Sequence, residues 1–309
     1  MPGWNAENVP DQSGRTAVVT GANSGIGYVA ARELARRGAD VVLACRSAAR
    51  GRAALLRLRA EVPRAEVDFM PLDLADLGSV REFAQAYGQR HRSLDLLVNN
   101  AGVMALPYGR TADGFEMQFG VNHLGHFALT GLLMPQLLAA APGARIVTVS
   151  SGFHALGDVD HDDLNSEQGY RRWIAYGRSK TANLLFTHEL ARRLRAAGST
   201  VVAAAAHPGY ASTNLHAGGA HVEGLRPMAR LLALGNAVIA QSAASGALPT
   251  LYAATGPGVR PDAFFGPRLG WRGAPVGSWR AKWTLDDASG ERLWAASEEL
   301  TSVSYPKGS

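Results

Sequence analysis

Thr16-Ala17-Val18-Val19-Thr20-Gly21-Ala22-Asn23-Ser24-Gly25-Ile26-Gly27 is the stretch on which the fold turns. Its first five residues are apolar and rich in β-branched side chains, the composition of a short buried strand. Three glycines stand in the next seven. Beyond them apolar residues recur at helical spacing as far as Arg37, and Gly38 supplies the stop. Strand, glycine-rich turn and helix in that order form the setting in which a turn receives a dinucleotide. Glycines let the backbone approach a pyrophosphate, and the helix N-terminus offers unpaired N–H groups and partial positive charge. The spacing is Gly-x-x-x-Gly-x-Gly and not Gly-x-Gly-x-x-Gly. Gly21, Asn23, Ser24, Gly25, Ile26 and Gly27 are the candidate cofactor contacts, and taken alone the turn is equally compatible with a structural bend.

Outward from this unit the alternation repeats. A strand over Asp40 to Ala44 ends in Cys45-Arg46, and a helix follows from Ser47 to Val62. The strand Val67 to Leu72 leads into Asp73-Leu74, then a helix from Leu77 to Arg90. Leu94 to Val98 is the fourth strand, leading to Asn99-Asn100-Ala101-Gly102. Strands each followed by a helix predict an α/β fold: one doubly wound parallel sheet of Rossmann type, a single domain with helices on both faces. The polar, Gly/Pro-rich residues 1–13 read as an arm and residues 14–309 as the domain. In such sheets ligands bind at the carboxyl ends of the strands, where Asp73 and Asn99 fall, each to contact cofactor or to brace a loop. An NAD enzyme usually places an acid about twenty residues beyond the glycines. Arg46 stands 19 residues past Gly27 and no acid sits at that strand end. An arginine there can pair with a 2′-phosphate, so NADP(H) is expected over NAD(H). Arg50 and Arg52 follow closely, and an ordinary surface arginine is the bland alternative.

A second stretch, Tyr176-Gly177-Arg178-Ser179-Lys180, opens a helical run to about Ala197. Tyr176 and Lys180 lie i and i+4, on one face. A phenol titrates near ~10, too high for neutral-pH proton transfer. An ammonium one turn away is expected to favour the phenolate and lower that value. Tyr-x-x-x-Lys alone is a frequent coincidence, and its weight comes from the company it keeps.

The composition sets bounds. The chain has 309 residues, 47% hydrophobic and 18% charged, an ordinary globular balance. No run reaches the ~18 apolar residues of a membrane span; Ala229 to Ala240 is interrupted by Arg230 and Asn236. The first residues have neither the basic start nor the apolar core of a signal peptide, and the lone Cys45 excludes an internal disulfide, so a cytoplasmic location is expected. The net charge is +5, and its arginines are spread among acids along the helices, so no nucleic-acid partner is expected.

Collected, these pieces resemble the short-chain dehydrogenase/reductase family. The resemblance rests on Thr20-Gly21-x-x-x-Gly25-x-Gly27, Asp73-Leu74, Asn99-Asn100-Ala101-Gly102, Asn122, Ser150-Ser151, Tyr176-x-x-x-Lys180 and Pro208-Gly209, in the family's order over roughly residues 14–215. Arg145 to Ser151, the gap before Tyr176, His207-Pro208-Gly209 and the Asn-His-Leu-Gly-His-Phe run of 122–127 look like its retinol-dehydrogenase-like branch. The resemblance implies a catalytic tetrad. Asn122 would hold a water linking Lys180 to solvent. Ser151, preferred to Ser150, would hydrogen-bond the substrate oxygen. Tyr176 would exchange its proton with that oxygen, and Lys180 would lower the phenol's pKa and hold the nicotinamide ribose. Asp73 with Leu74 would meet the adenine, Asn99, Ala101 and Gly102 the adenosine ribose, and Pro208, Gly209 and Thr213 the nicotinamide.

Departures and bland readings stand beside these roles. The 24 residues between Ser151 and Tyr176 include an acidic insertion, Gly157 to Asp163, which would cover the pocket or block a helix-pair interface. It leaves a homodimer or a homotetramer open. A metal site at Asp160, His161, Asp162 and Asp163 is less favoured than a solvated turn, and no metal is expected. His123 and His126 are expected to pack and not to ligate, and His154 to face the pocket or solvent equally. Cys45 is expected to be a buried, unreactive thiol. Further on, a strand Thr200 to Ala206, a substrate loop at about 210–230, helical segments near Met228–Leu234 and Ala237–Thr255, a strand near Phe264-Phe265, a Gly/Trp-rich coil through Trp283 and a helix Asp287 to Leu300 complete the pattern, with 267–309 as a C-terminal extension. Met104, Phe153, Tyr210 and Leu215 are candidate pocket residues, and an apolar carbonyl or alcohol the expected substrate. The alternatives are a tailoring ketoreductase of a secondary-metabolite pathway, or a non-catalytic NADP(H)-binding sensor on the same fold.

Overall fold

Along Thr16–Thr20 (β1) successive side chains point to opposite faces, and both faces are apolar. Val18 enters one core with Val42, Met70, Leu97, Ile146 and Ala203, while Ala17 and Val19 enter a second with Val41, Leu43, Leu96, Val98 and Val147. Two-sided burial is why these strands read as unbroken apolar runs. The computed structural model describes residues 3–209 and 242–306. Within them the other strands are β2 (Asp40–Cys45), β3 (Val67–Pro71), β4 (Leu96–Asn99), β5 (Arg145–Val149), β6 (Val202–Ala206), β7 (Phe264–Pro267) and β8 (Pro275–Gly277). They form one eight-stranded sheet in the order β3-β2-β1-β4-β5-β6-β7-β8. All neighbours pair in parallel except β7 and β8, which are antiparallel. The strand order reverses between β1 and β4, which opens a crevice at their carboxyl ends.

Helices cover both faces. α1 (Gly25–Arg36) and α2 (Ala48–Glu61) lie on the second core, and α3 (Leu77–Arg90) on the first, where Val80, Phe83 and Tyr87 are buried. Asp76 caps α3 by accepting from the amides of Gly78 and Ser79 at 2.8 and 3.3 Å. The segment from a short α4 (Met117–Phe119) through a π-helical turn Gly120–Leu124 to α5 (Gly125–Leu132), then α6 (Met134–Ala139), packs beside α3. The 25-residue α7 (Arg172–Ala196) buries Phe186, Leu190, Ala191 and Leu194 against the same face. α8 (Ala243–Thr255) contributes Ala247 and Leu251 to the second core, and α9 (Asp287–Thr301) sends Trp294 into the first. This is the doubly wound α/β architecture expected.

Particular elements depart from expectation. Pro275–Gly277 lies in the stretch read as coil, yet pairs as β8 because Phe265, Gly266 and Pro267 register against Gly277, Val276 and Pro275. The arm packs onto the body: Trp4 is buried and meets Tyr252 edge-on at 5.2 Å. The acidic insertion likewise folds down. Val159 is buried with Leu185 and Leu293, Asp160 pairs with Arg178 at 3.2 Å, and His161 Nε2 meets Ser289 Oγ at 2.8 Å. The expected loop at 210–230, the segment Met228–Leu234, residues 237–241 of the next segment, and Tyr210, Thr213 and Leu215 lie outside the described residues.

Candidate functional site

The crevice between β1 and β4 is framed by two loops that share hydrogen bonds. Thr20 Oγ1 accepts from the amides of Asn100 and Ala101 at 2.9 Å each, and Asn100 Nδ2 donates to Thr20 O at 2.8 Å. Asn100 therefore lies over the glycine turn. A Cβ on Gly27 would collide with its side-chain amide and stand 2.7 Å from Gly21 O. Gly21 has φ +67 and a Cβ there would meet Ala101 at 3.0 Å, so neither position admits a side chain without displacement. Ser24 precedes α1 with no side-chain capping bond, so the first-turn amides lack a side-chain acceptor. This cradle fits a dinucleotide diphosphate.

At the end of β2 the Arg46 side chain is 65% exposed, with Nε 3.9 Å from Asp73 Oδ2, a loose pair that leaves the guanidinium open to a ligand. Asp73 Oδ1 also accepts from Ala75 N at 3.0 Å, so this carboxylate braces its own turn. Leu74 is buried in the main core, and only its backbone is available to a ligand. Asn99 is buried as well and donates through Nδ2 to Thr130 Oγ1 at 2.9 Å, which makes it a brace between β4 and α5.

Deeper in the crevice four expected residues converge. Ser151 is hydrogen-bonded to the Tyr176 hydroxyl. Ser150 instead donates to Lys180 O at 2.8 Å, which separates the two serines and favours Ser151 as the site residue. Lys180 Nζ donates to Val149 O at 3.1 Å and lies 5.8 Å from the Tyr176 ring centre. A Cβ on Gly102 would stand 3.0 Å from Asn122 Oδ1 and 3.4 Å from Lys180 Nζ, so this glycine brings the β4 loop against both. Asn122 grips Val103 twice, accepting from its N–H at 2.8 Å and donating to its carbonyl at 2.9 Å, and also donates to Ser179 Oγ at 2.9 Å. Both donors of its side-chain amide are thus engaged, and its main-chain carbonyl, in the buried π-helical turn, faces His126 Nδ1 at 3.1 Å.

The electrostatics overturn one expectation. Burial pushes the Tyr176 phenol up to about 12, only partly opposed by the hydrogen bond from Ser151. Lys180 is not among the causes of that shift; its ammonium donates to Val149 O and is itself pushed down to about 8 by burial. In the protein alone Tyr176 is a proton donor, held neutral.

Around the reactive pair, Phe153 stacks on Trp173 with ring centres 5.2 Å apart and meets Tyr176 edge-on at 5.8 Å. Gly209 (φ +68), beyond β6, is held against the end of β7, where a Cβ would lie 2.6 Å from both Pro267 Cγ and Trp271 O. Three histidines whose partners the sequence did not disclose tie this region together. His154 Nδ1 meets Ser151 O at 2.7 Å while its Nε2 accepts from Ala281 N at 3.2 Å. His207 joins Gly209 N and Ser278 Oγ. His126 joins Thr20 Oγ1 at 2.9 Å and Asn122 O at 3.1 Å. His123 packs among Phe119, Phe127 and Phe186. Burial pushes the Cys45 thiol up to about 11, which keeps it unreactive. Among the described residues no group of three or more His, Cys, Asp or Glu could hold a metal ion, and no helix is long and apolar enough to cross a membrane.

The short chain dehydrogenase family model matches residues 15–221, which span the cradle and the converging tetrad. The chain belongs to the short-chain dehydrogenase/reductase family. Within it the retinol-dehydrogenase-like character holds. Human retinol dehydrogenase 14 is 41% identical over 94% of this chain and 87% of its own length, and human retinol dehydrogenase 12 is 40% identical over 94% and 88%. Among solved short-chain dehydrogenase-like structures, an uncharacterised protein from Mycobacterium paratuberculosis is 46% identical, covering 98% of this chain and 99% of its own, with a TM-score of 0.81. RhlG of Pseudomonas aeruginosa, solved as an NADP active-site complex, is 25% identical over 83% of this chain and 95% of its own, with a TM-score of 0.64. Membership makes this protein an oxidoreductase that uses a nicotinamide cofactor and a small-molecule substrate.

Proposed function

We propose that this oxidoreductase is NADP(H)-dependent and interconverts an apolar carbonyl compound and its alcohol. The observation that carries the reading is the Ser151–Tyr176 hydroxyl pair, set in the crevice beside Lys180, Asn122 and an aromatic wall. A bound nicotinamide supplies or accepts the hydride. The chain's own residues then have three tasks: place the substrate oxygen, polarise it and move one proton. Ser151 and Tyr176 supply two donors to one oxygen, and the phenol held neutral is suited to protonate it during reduction. Lys180 would hold the nicotinamide ribose and, through a water on the carbonyl of Asn122, reach solvent. Gly21, Asn23, Ser24, Gly25, Ile26 and Gly27 would receive the diphosphate, Asp73 and the backbone of Leu74 the adenine, and Ala101 and Gly102 the adenosine ribose. Pro208, Gly209 and Thr213 would flank the nicotinamide. Phe153 and Trp173 favour an apolar substrate, in keeping with relatives named as retinol dehydrogenases.

Arg46 is the residue proposed to set cofactor choice. A guanidinium open at the end of β2, with no acid beside the ribose position except the loosely paired Asp73, suits a 2′-phosphate. Arg46→Ala is expected to weaken NADPH binding roughly tenfold or more and leave NADH binding little changed, the loss of one charge-assisted contact. Titration of the purified protein with each nucleotide, read by nicotinamide fluorescence, followed by a panel of aliphatic aldehydes, ketones and retinoids, tests the whole reading. Tighter NADH than NADPH binding defeats the cofactor assignment, and turnover of small charged ketoacids alone defeats the substrate class.

A further inference from the structure

We propose that His126 is a positioning residue: its neutral imidazole locks the dinucleotide cradle to the turn that carries Asn122. The inference rests on the cofactor reading above and assigns a task to a residue that the tetrad does not use. His126 lies on α5, one turn beyond Asn122, and is buried. Its two nitrogens face partners of opposite kind. Nδ1 stands 3.1 Å from the Asn122 carbonyl, which can only accept, so Nδ1 carries the hydrogen. Nε2 is then a lone pair, 2.9 Å from Thr20 Oγ1, and the threonine hydroxyl must donate to it. With its hydrogen committed there, Thr20 Oγ1 has both lone pairs free for the amides of Asn100 and Ala101, which it accepts at 2.9 Å each. Every donor and acceptor in this set is used once, and the direction of each bond follows from the first.

The consequence is mechanical. The loop after β1 holds the diphosphate turn and the loop after β4 lines the crevice; Thr20 fastens one to the other. The imidazole fixes the rotation of that hydroxyl, whose alternative acceptor, Val98 O, is more distant at 3.4 Å. From its other nitrogen the same ring holds the π-helical turn, from which Asn122 grips Val103 by both backbone groups. Residues 100–103 are therefore fastened at both ends through His126. Protonation would put a donor where Thr20 needs an acceptor; burial and the nearby Lys180 charge keep the ring neutral.

Two substitutions separate its two bonds. In His126→Gln the carboxamide reaches the Nε2 position and can still accept from Thr20, while the bond to Asn122 is lost. In His126→Asn the shorter carboxamide sits at the Nδ1 position and can still donate to Asn122, while Thr20 loses its acceptor. The expected result is a crossed pattern. His126→Asn weakens NADPH binding about tenfold and keeps kcat at saturating cofactor, whereas His126→Gln binds NADPH within about threefold of the parent and loses kcat about tenfold. Amide hydrogen exchange at residues 100 and 101, measured without nucleotide, should accelerate in His126→Asn and not in His126→Gln. Thr20→Val should reproduce the weakened binding and Thr20→Ser restore it, which keeps the test open if a histidine variant fails to fold. Parallel losses in both histidine variants, or none in either, overturn the inference. A parent protein that binds neither NADPH nor NADH sinks the cofactor reading instead, and the exchange measurement still reports on His126.

Discussion

Tyr176→Phe should lower kcat for carbonyl reduction roughly a thousandfold, within the range expected for removing a positioned general acid, while NADPH affinity stays within a few-fold. The phenol ring packs edge-on against Phe153, and phenylalanine preserves that packing. What is lost is the hydroxyl that Ser151 orients and that burial holds neutral, with a pKa pushed up to about 12. The same placement sets the pH dependence. Reduction needs the protonated phenol, which is present throughout the neutral range, so its rate should be flat from about pH 6 to 7. It should fall above that, as Lys180, pushed down to about 8, loses the charge proposed to hold the cofactor ribose. Oxidation needs the proton removed and should rise over the same alkaline interval. Steady-state kinetics of the pair in both directions, with NADPH titrations alongside, check this. A variant that keeps more than a tenth of the parent's kcat removes Tyr176 from the chemistry. A parent that binds NADPH and turns over no carbonyl or alcohol favours the sensor.

The residues that could be read in advance share a property: their signal is local. β1, the glycine turn and α1 are one uninterrupted stretch, and apolar runs with helical segments between them reveal the parallel sheet because both faces of each strand are buried. Asn122, Ser151, Tyr176 and Lys180 were legible because a strand end and two helix turns deliver them, and the motifs preserve those turns. What could not be read depends on contacts across the chain. β8 is a strand only because Phe265–Pro267 offers it an edge. Burial pushes the Tyr176 phenol up, and the i, i+4 spacing to Lys180 says nothing of that burial. Leu74 and Asn99 stand in motifs yet turn their side chains inward, to the core and to Thr130. His126 looked like a packing residue, His154 like a pocket or loop residue and His207 like one member of a motif, because their partners lie 106, 127 and 71 positions away. A histidine in an apolar helix was the available signal, and it does not say what the two nitrogens face.

The deeply buried imidazoles of His123, His126 and His207 make the fold sensitive to mild acid, and a drop in Tm of about 10 °C between pH 7 and pH 5 is expected. Burial pushes His123 down to about 3, and His126 and His207 to about 4. Each folded value lies below that of the unfolded chain, near ~6.5. Above that pH both states are neutral and the stability is fully present. As the pH falls from about 6.5 toward the folded values, the unfolded chain takes up protons that the folded chain refuses, and stability is lost. To pH 5 the linkage amounts to about 2 kcal/mol per imidazole as an upper limit. Two groups oppose it. His188 is pushed up by its hydrogen bond to Asp262, and Glu116 is pushed up by burial; both favour the folded state as the pH falls. These three imidazoles, with His91, His154 and His161 also lowered by burial, outweigh the two and leave a net loss of several kcal/mol, and a kcal/mol moves the Tm of a large domain by roughly 2–4 °C. Most exposed carboxylates remain ionised at pH 5, which isolates the histidine contribution. Thermal melts followed by circular dichroism at pH 7, 6 and 5 test it, with His207→Gln as the control. Glutamine keeps a neutral hydrogen-bonding group near Ser278 and takes up no proton, so the variant's Tm should fall less over the same interval. A parent Tm that moves by less than about 2 °C would mean that the buried imidazoles open to solvent and titrate as they do in the unfolded chain, which would also deny His126 the fixed, neutral bonding that its proposed role requires.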